Sequence, residues 1–563
     1  MDFQTVLCSS LAKIMPQGTP EKSPVRKFGI LRGENFAFQV AFKSEDLSWA
    51  SETGTIRVEV KSPLKKYIRV RSVENVPVSW MPDAVDADVV SDKVGLYPDI
   101  LRDLEDGNLV RNRRRIWQSL WFDVEVPETC KSGTYDISVI LHFVDLDQHY
   151  AGVKAEKTME ESLTLEVINA VLPAQTLKCD HWFHADCLST QYNIKPFSAE
   201  FWRIAANFMK AASANGINML LTPLFTPPLD TFIGTYRPRV QLMKISIDKG
   251  KYSFDFSMLK KWIDVAHENG IEYFEMPHMF TQWGCKATPQ IWATVDGEEK
   301  RIFGWDVKAL SPAYRKFINN YLPALKAFLE EQGLKDKVYF HCSDEPSAIH
   351  LEQFKKCASL LEKHLKGWNL YDGGTLDVYK QGLIPIPIPI APVRAFEQFL
   401  DVDVPERWIA YCCFPQEVYV NRFIHMTSSR NRIFGSLLYR FNVNGFLHWG
   451  FNFYYSGLSL KPVDPYKDTC CYFTYPPGDA FLVYPREDGM PEESLRLKVF
   501  GHGLQDMRAL QLLESLTGRE KVEKLLDKYS PNGEMHMHDY PRGEKAVLTL
   551  REKINAEIKK NLK

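Results

Sequence analysis

Val338-Tyr339-Phe340-His341-Cys342-Ser343-Asp344-Glu345-Pro346 is an apolar run that ends on two adjacent carboxylates and a proline. It reads as a short buried strand, and charge at the end of such a strand belongs at a sheet mouth rather than in a core. In alternating β/α proteins the carboxyl mouths of the strands hold the catalytic groups. Pro346 biases Glu345 toward an extended backbone and lacks the N–H that a ladder needs, so the strand is expected to stop there. Two carboxyls this close cannot both ionise freely, and the pairing suits acid-and-anion chemistry such as glycoside cleavage. The competing reading makes Asp344 or Glu345 the cap of a helix starting near Ser347. Taken alone, the stretch favours neither.

Outward from this run the same alternation recurs. Strand candidates lie at 178–183, 217–225, 271–276, 337–343, 368–371, 383–390, 408–413 and 445–449. Eight is the number that closes a (β/α)8, TIM-like barrel. Amphipathic helices are expected at 199–214, 257–269, 312–332, 347–366 and 421–441, while the connections at 376–382 and 393–400 are short or weak. The Ile-Pro alternation at 384–390 loses every second N–H donor, so its strand is expected to be distorted. A long aromatic loop or hairpin follows at 464–486, then a helix at 492–516 that completes the barrel.

Before residue 174 the period is two rather than 3.6. Strands at 36–42, 55–60, 116–124, 133–141 and 162–167, separated by polar turns, predict an N-terminal antiparallel β-sandwich. The expected order is therefore a β-sandwich at 1–173, a catalytic barrel at 174–516 and a helical C-terminal extension at 517–563 packing outside the barrel. The basic run Arg111-Asn112-Arg113-Arg114-Arg115 reads as a solvated loop.

A chain of 563 residues is too long for one ordinary core. Lys plus Arg number 69 against 71 acids, a balance with no pull toward nucleic acid or an anionic membrane. Eleven cysteines without a CxxC pair, and a His341-Cys342 step without nearby partners at ligand spacing, predict reduced thiols and no metal or other cofactor. The first residues lack a basic start followed by an apolar stretch, and no segment has the apolar length of a membrane span, so a cytoplasmic location is expected. Aromatics reach 13%, which suits either a sugar cleft or a large core.

The strand mouths taken together carry chemistry. The first offers His181, Trp182, His184 and Asp186, and the third Glu275, His278 and Gln282. The fourth offers Asp344 and Glu345, the fifth Tyr371 and Asp372, and the seventh Tyr411. His448, Trp449 and Asn452 follow the eighth. Each alone has a packing explanation. Their recurrence at six strand ends does not.

His341-Cys342-Ser343-Asp344-Glu345-Pro346, followed by His448-Trp449-Gly450-Phe451-Asn452 and Gly478-Asp479-Ala480-Phe481-Leu482-Val483-Tyr484-Pro485, resembles glycoside hydrolase family 123. The resemblance covers 178–516 and extends loosely to the sandwich. It implies an exo-acting β-N-acetylgalactosaminidase that retains configuration without an enzymic nucleophile, acting on terminal β-linked N-acetylgalactosamine of glycolipids or oligosaccharides. In that scheme Glu345 is the general acid and base, and Asp344 orients the 2-acetamido group that attacks the anomeric carbon. From strand-end position, Tyr411 is assigned to the acetamido oxygen and Trp449 to the sugar wall. His278, Tyr371, Asn452 and Tyr484 are assigned to hydroxyls. Successive strand residues face opposite ways, so the scheme requires the strand to bend before Asp344. A two-carboxylate glycosidase on sugars without an acetamido group and a catalytically silent carbohydrate-binding protein are the competing readings.

Overall fold

Eight short parallel strands close into a barrel in the computed structural model: Lys178–His181, Met219–Leu221, Tyr273–Met276, Val338–His341, Asn369–Gly373, Ile388–Pro392, Trp408–Ala410 and Gly445–His448. The first pairs in parallel with both the second and the eighth, which seals the cylinder. The structure describes residues 3–44, 55–82, 86, 88–104, 108–113, 115–144, 156–346, 348–374, 379–380, 382 and 385–562. Each strand overlaps an expected apolar run; most are shorter than that run, while Asn369–Gly373 and Ile388–Pro392 extend two residues past theirs. Inward aromatic side chains fill the interior, with the Tyr339, Tyr371 and Trp408 rings meeting at 5.1–5.4 Å.

Helices on the outside appear where amphipathic spacing and a cap coincide. Ala199–Ser213 begins at Ser198, whose side chain accepts from the Phe201 N–H; Pro312–Glu331 begins at Ser311, which does the same for Tyr314. The ring is irregular: the sixth connection is weak, as expected, and the seventh departs from the expected single helix, so the barrel is not a complete (β/α)8 ring. The sixth connection carries only the single 3-10 turn Phe396–Phe399, and the expected helix over 421–441 is two short pieces, Ser428–Arg432 and Phe434–Arg440. The expected weak connection at 376–382 lies largely outside the described residues. A four-stranded sheet (Lys244–Asp248, Lys251–Asp255, Ile291–Val295, Glu298–Phe303) grows from the loops after the second and third barrel strands. Its alternating pattern was available in the sequence but was absorbed into the barrel reading.

The N-terminal region is two sheets sharing a core, with Phe3 of one meeting Phe143 of the other at 5.7 Å. Antiparallel pairing has one exception: Lys27–Arg32 runs parallel to Glu156–Val171. The larger sheet does not end with this region. Pro491–Ser494, which follows the barrel, pairs with Gly95–Asp103 and in turn with Val483–Pro485, so the expected loop at 464–486 ends as a strand of the first sheet. Helix Leu495–Thr517 then starts at the Ser494 cap. The tail helix Glu544–Asn561 bonds both regions: Arg551 meets Glu34 and Asp506 at 2.6 Å each.

Candidate active site

The fourth strand stops at His341, earlier than the proline would dictate. Its partners have been replaced. The His341 and Cys342 carbonyls accept from Met279 and Phe280, and the Ser343 N–H donates to Asp372 Oδ2 at 2.9 Å. With the ladder broken, the chain turns, and Glu345 takes a left-handed backbone, φ +42°. A non-glycine residue there is strained, and such strain collects at functional sites. The turn brings both carboxyls onto one cavity of about 500 Å³, which Trp182, Tyr411 and Trp449 also line. The bend that strand geometry requires is present.

Both carboxyls are held above the usual carboxylate range. For Asp344 the cause is burial, then the charge of Glu345; for Glu345 it is burial, then the charge of Asp372. Two interacting acids of this kind titrate as a pair and share a proton. Gln282 biases the sharing: its Nε2 donates to Asp344 Oδ2 at 2.8 Å, which favours negative charge on Asp344. The Gln282 carbonyl accepts from the Asp230 N–H, which fixes the amide. Beneath the pair, His341 stands between Glu275 at 2.9 Å and Asp372 at 3.2 Å. Burial opposes its charge, but the flanking carboxylates overcome that and lift it well above the ordinary imidazole value. The resulting imidazolium supports Asp372, the same residue that holds Ser343 in the turn.

Glu275, His278 and His341 form the one group of metal-capable side chains found among the described residues. Imidazole binds a metal in its own plane. The His278 and His341 rings lie face to face, 3.8 Å apart and 27° from parallel, so as placed their lone pairs do not converge on one ion. The group is an ion pair with a stacked neutral histidine; burial, then the His341 charge, hold His278 well below its ordinary value.

Of the residues expected from strand ends, Asp344, Glu345, Tyr411 and Trp449 line the cavity, and four do not. The Tyr411 hydroxyl is buried with no well-aligned protein partner. Trp449 is braced by its indole N–H on Asp479 Oδ2 at 2.8 Å and by the Tyr475 ring at 4.7 Å. Asn452 instead brackets the first strand's end, exchanging hydrogen bonds with the His184 backbone. His278 is stacked below the floor, and Tyr371 points down the barrel to Asp180 at 2.7 Å. Tyr484 lies in the seam with the N-terminal sheet, donating to Asp99 at 2.5 Å. These four were assigned from position along the chain, and position does not tell which way a side chain points.

Trp182, His184, Gln282 and Asp372 were visible at strand mouths but not selected, whereas Asp230, Trp283 and Tyr475 come from loops with no strand-end signal. His184 is a neutral brace, held well below its ordinary value by burial and by Arg237, with its Nε2 on the Trp449 carbonyl at 2.9 Å.

The model of the catalytic domain of glycoside hydrolase 123 matches residues 182–513. No curated protein matches. Among solved structures, a family 123 glycoside hydrolase from Clostridium perfringens, studied for the details of glycolipid glycan hydrolysis, superposes with a TM-score of 0.70 at 15% identity. That alignment covers 100% of this chain and 98% of the other. A GH2 β-galacturonidase from Eisenbergiella tayi aligns over 89% of this chain and 97% of its own at 10% identity, with a TM-score of only 0.30.

Proposed function

The chain belongs to glycoside hydrolase family 123, and on that premise we propose that it is a retaining exo-β-N-acetylgalactosaminidase using substrate-assisted catalysis. The observation that carries the reading is the turn after His341, which puts two differently supported carboxyls on one aromatic cavity. Glu345 delivers its proton to the glycosidic oxygen as the bond to the anomeric carbon breaks. The substrate's acetamido oxygen attacks that carbon from the other face, giving a cyclic oxazolinium. Asp344, whose charged form the Gln282 N–H favours, accepts from the acetamido N–H and, when ionised, balances the positive charge. Water, deprotonated by Glu345, then opens the ring with a second inversion, so configuration is retained. Tyr411 supplies a hydrogen bond for the acetamido oxygen, and Trp182 and Trp449 wall the sugar. Holding the amide in line is where most of the acceleration would arise, because the attack is intramolecular. Terminal β-N-acetylgalactosamine on glycolipid or oligosaccharide ends is the proposed substrate.

The decisive assay compares aryl β-N-acetylgalactosaminide with aryl β-galactoside while NMR follows the anomer first released. Turnover of the amide sugar alone, with retention, is expected. Equal turnover of the plain galactoside would favour an ordinary enzymic nucleophile, and an inverted product would end the proposal.

A further inference from the structure

Two large aromatic side chains stand open at the cavity mouth. Trp283 is 45% exposed and Phe414 is 71% exposed, and both line the same cavity as the carboxyl pair. Trp283 follows the third barrel strand and Phe414 the seventh; in a closed ring of eight these are diametrically opposite, so the rings stand on facing lips. Trp283 is held there at a cost, with φ +54°, a conformation unfavourable for a bulky residue. Its side chain stands near enough to the Glu345 carboxyl to favour the charged form of that acid. The acid that protonates the departing oxygen therefore sits beside this lip, which places the lip on the leaving-group side of the bond.

We propose that Trp283 and Phe414 form a leaving-group subsite that takes the second sugar of the glycan between their faces, with Trp283 also positioning the Glu345 carboxyl. The inference rests on the glycosidase reading and deepens it: the preferred substrate is an oligosaccharide end rather than a sugar on a slender aglycone. The occupant is a pyranose because a sugar ring offers an apolar face of C–H groups to each aromatic and leaves its hydroxyls to solvent at the open edge. Phe414 serves binding alone. Trp283 serves binding and, through its N–H, stabilises the ionised form of Glu345.

The test compares a β-N-acetylgalactosaminyl disaccharide, β-N-acetylgalactosaminyl fluoride and a short alkyl β-N-acetylgalactosaminide in the wild type and in Trp283→Ala, Trp283→Phe and Phe414→Ala. The ratio of kcat/KM for disaccharide over fluoride is expected to fall about tenfold or more in each alanine variant, the scale of a lost apolar contact at a specificity site. Phe414→Ala should act through KM. Trp283→Phe should keep the ratio within about threefold, yet move the alkaline limb of the disaccharide pH profile upward, because the lost N–H no longer favours the Glu345 anion. An unchanged ratio in both alanine variants overturns the subsite, and so does a loss confined to the alkyl glycoside. A wild type inert toward the fluoride would defeat the glycosidase reading itself, and the subsite with it.

Discussion

Asp344 and Glu345 crowd two acids onto one wall, an arrangement that serves chemistry and opposes folding. A carboxyl whose folded value is raised keeps its proton where the unfolded chain has already released it. Stability is then lost as pH rises through that interval. Glu345→Gln and Asp344→Asn should therefore reduce turnover of unactivated glycans by about 10²–10⁴-fold, while melting at or above the wild-type temperature at neutral pH, as stored strain and repulsion at active sites predict. Calorimetry at pH 4 and pH 7.5 checks the sign: the gain should appear only at the higher pH. Asp479 gives a cleaner case because it braces Trp449 and lies outside the Asp344–Glu345 pair. Burial, only partly offset by bonds from Cys413 and Trp449, raises it to about 6. Asp479→Asn should remove a loss on the order of 2–3 kcal/mol that the wild type incurs between about pH 4 and 6. Urea titrations at those two pH values would read it, and an equal slope in wild type and variant would refute the assignment.

At the scale of elements, the barrel strands were legible because each is a short apolar run bounded by turn signals, and burial on both faces demands that composition. Helices with a serine cap were legible to within three residues. The weakness of the sixth connection was legible too, whereas the break of the helix expected at 421–441 into Ser428–Arg432 and Phe434–Arg440 was not. Nor was the small sheet at 244–303, whose short alternating strands bury only one face, as Ile245, Ile291 and Ala293 show, and compete poorly with the barrel pattern. The catalytic turn was half legible: the sequence located its residues, but Asp372, the group that holds it, comes from the next strand. Gly435 and Gly503 show what pattern reading leaves out. A helix interior disfavours glycine by about 1 kcal/mol, so a packing reason is implied. Here Phe434–Arg440 crosses Leu495–Thr517, and a Cβ on Gly435 would sit 1.7 Å from the Gly503 carbonyl oxygen. Backbone cannot yield as a side chain can. Gly435→Ala should cost about 3 kcal/mol, seen as a fall in the urea midpoint, whereas Gly518→Ala is strained by its backbone, φ +86°, but meets no neighbour within 4 Å and should cost less.

At the scale of the whole molecule, the sequence divides at 173 and 516, but the structure ties those pieces together with buried charge. Arg496, on the helix that follows the barrel, meets Asp99 of the N-terminal sheet at 2.9 Å and donates to the Gly478 and Phe481 carbonyls. Arg71 meets Asp123 at 2.5 Å and Glu493 at 2.6 Å, and Lys498 stands 3.5 Å from Asp123. No pattern along the chain announces such pairs, because partners about four hundred residues apart share no period. Their arrangement also explains Tyr484: its hydroxyl supplies the remaining bond to Asp99, so its place is in the seam and not in the sugar site. Tyr484→Phe should then cost about 1–2 kcal/mol of stability with kcat/KM preserved, the reverse of a residue that reads a hydroxyl. Arg496→Met should cost about 3–5 kcal/mol, because it leaves the Asp99 carboxylate buried without its counter-charge. Adding Asp99→Asn removes that orphan charge, so the double variant should recover part of the loss, a coupling that a urea double-mutant cycle measures directly. Strictly additive losses would mean that the seam is held by sheet pairing and packing alone, and that these ions are incidental to the joining of sandwich and barrel.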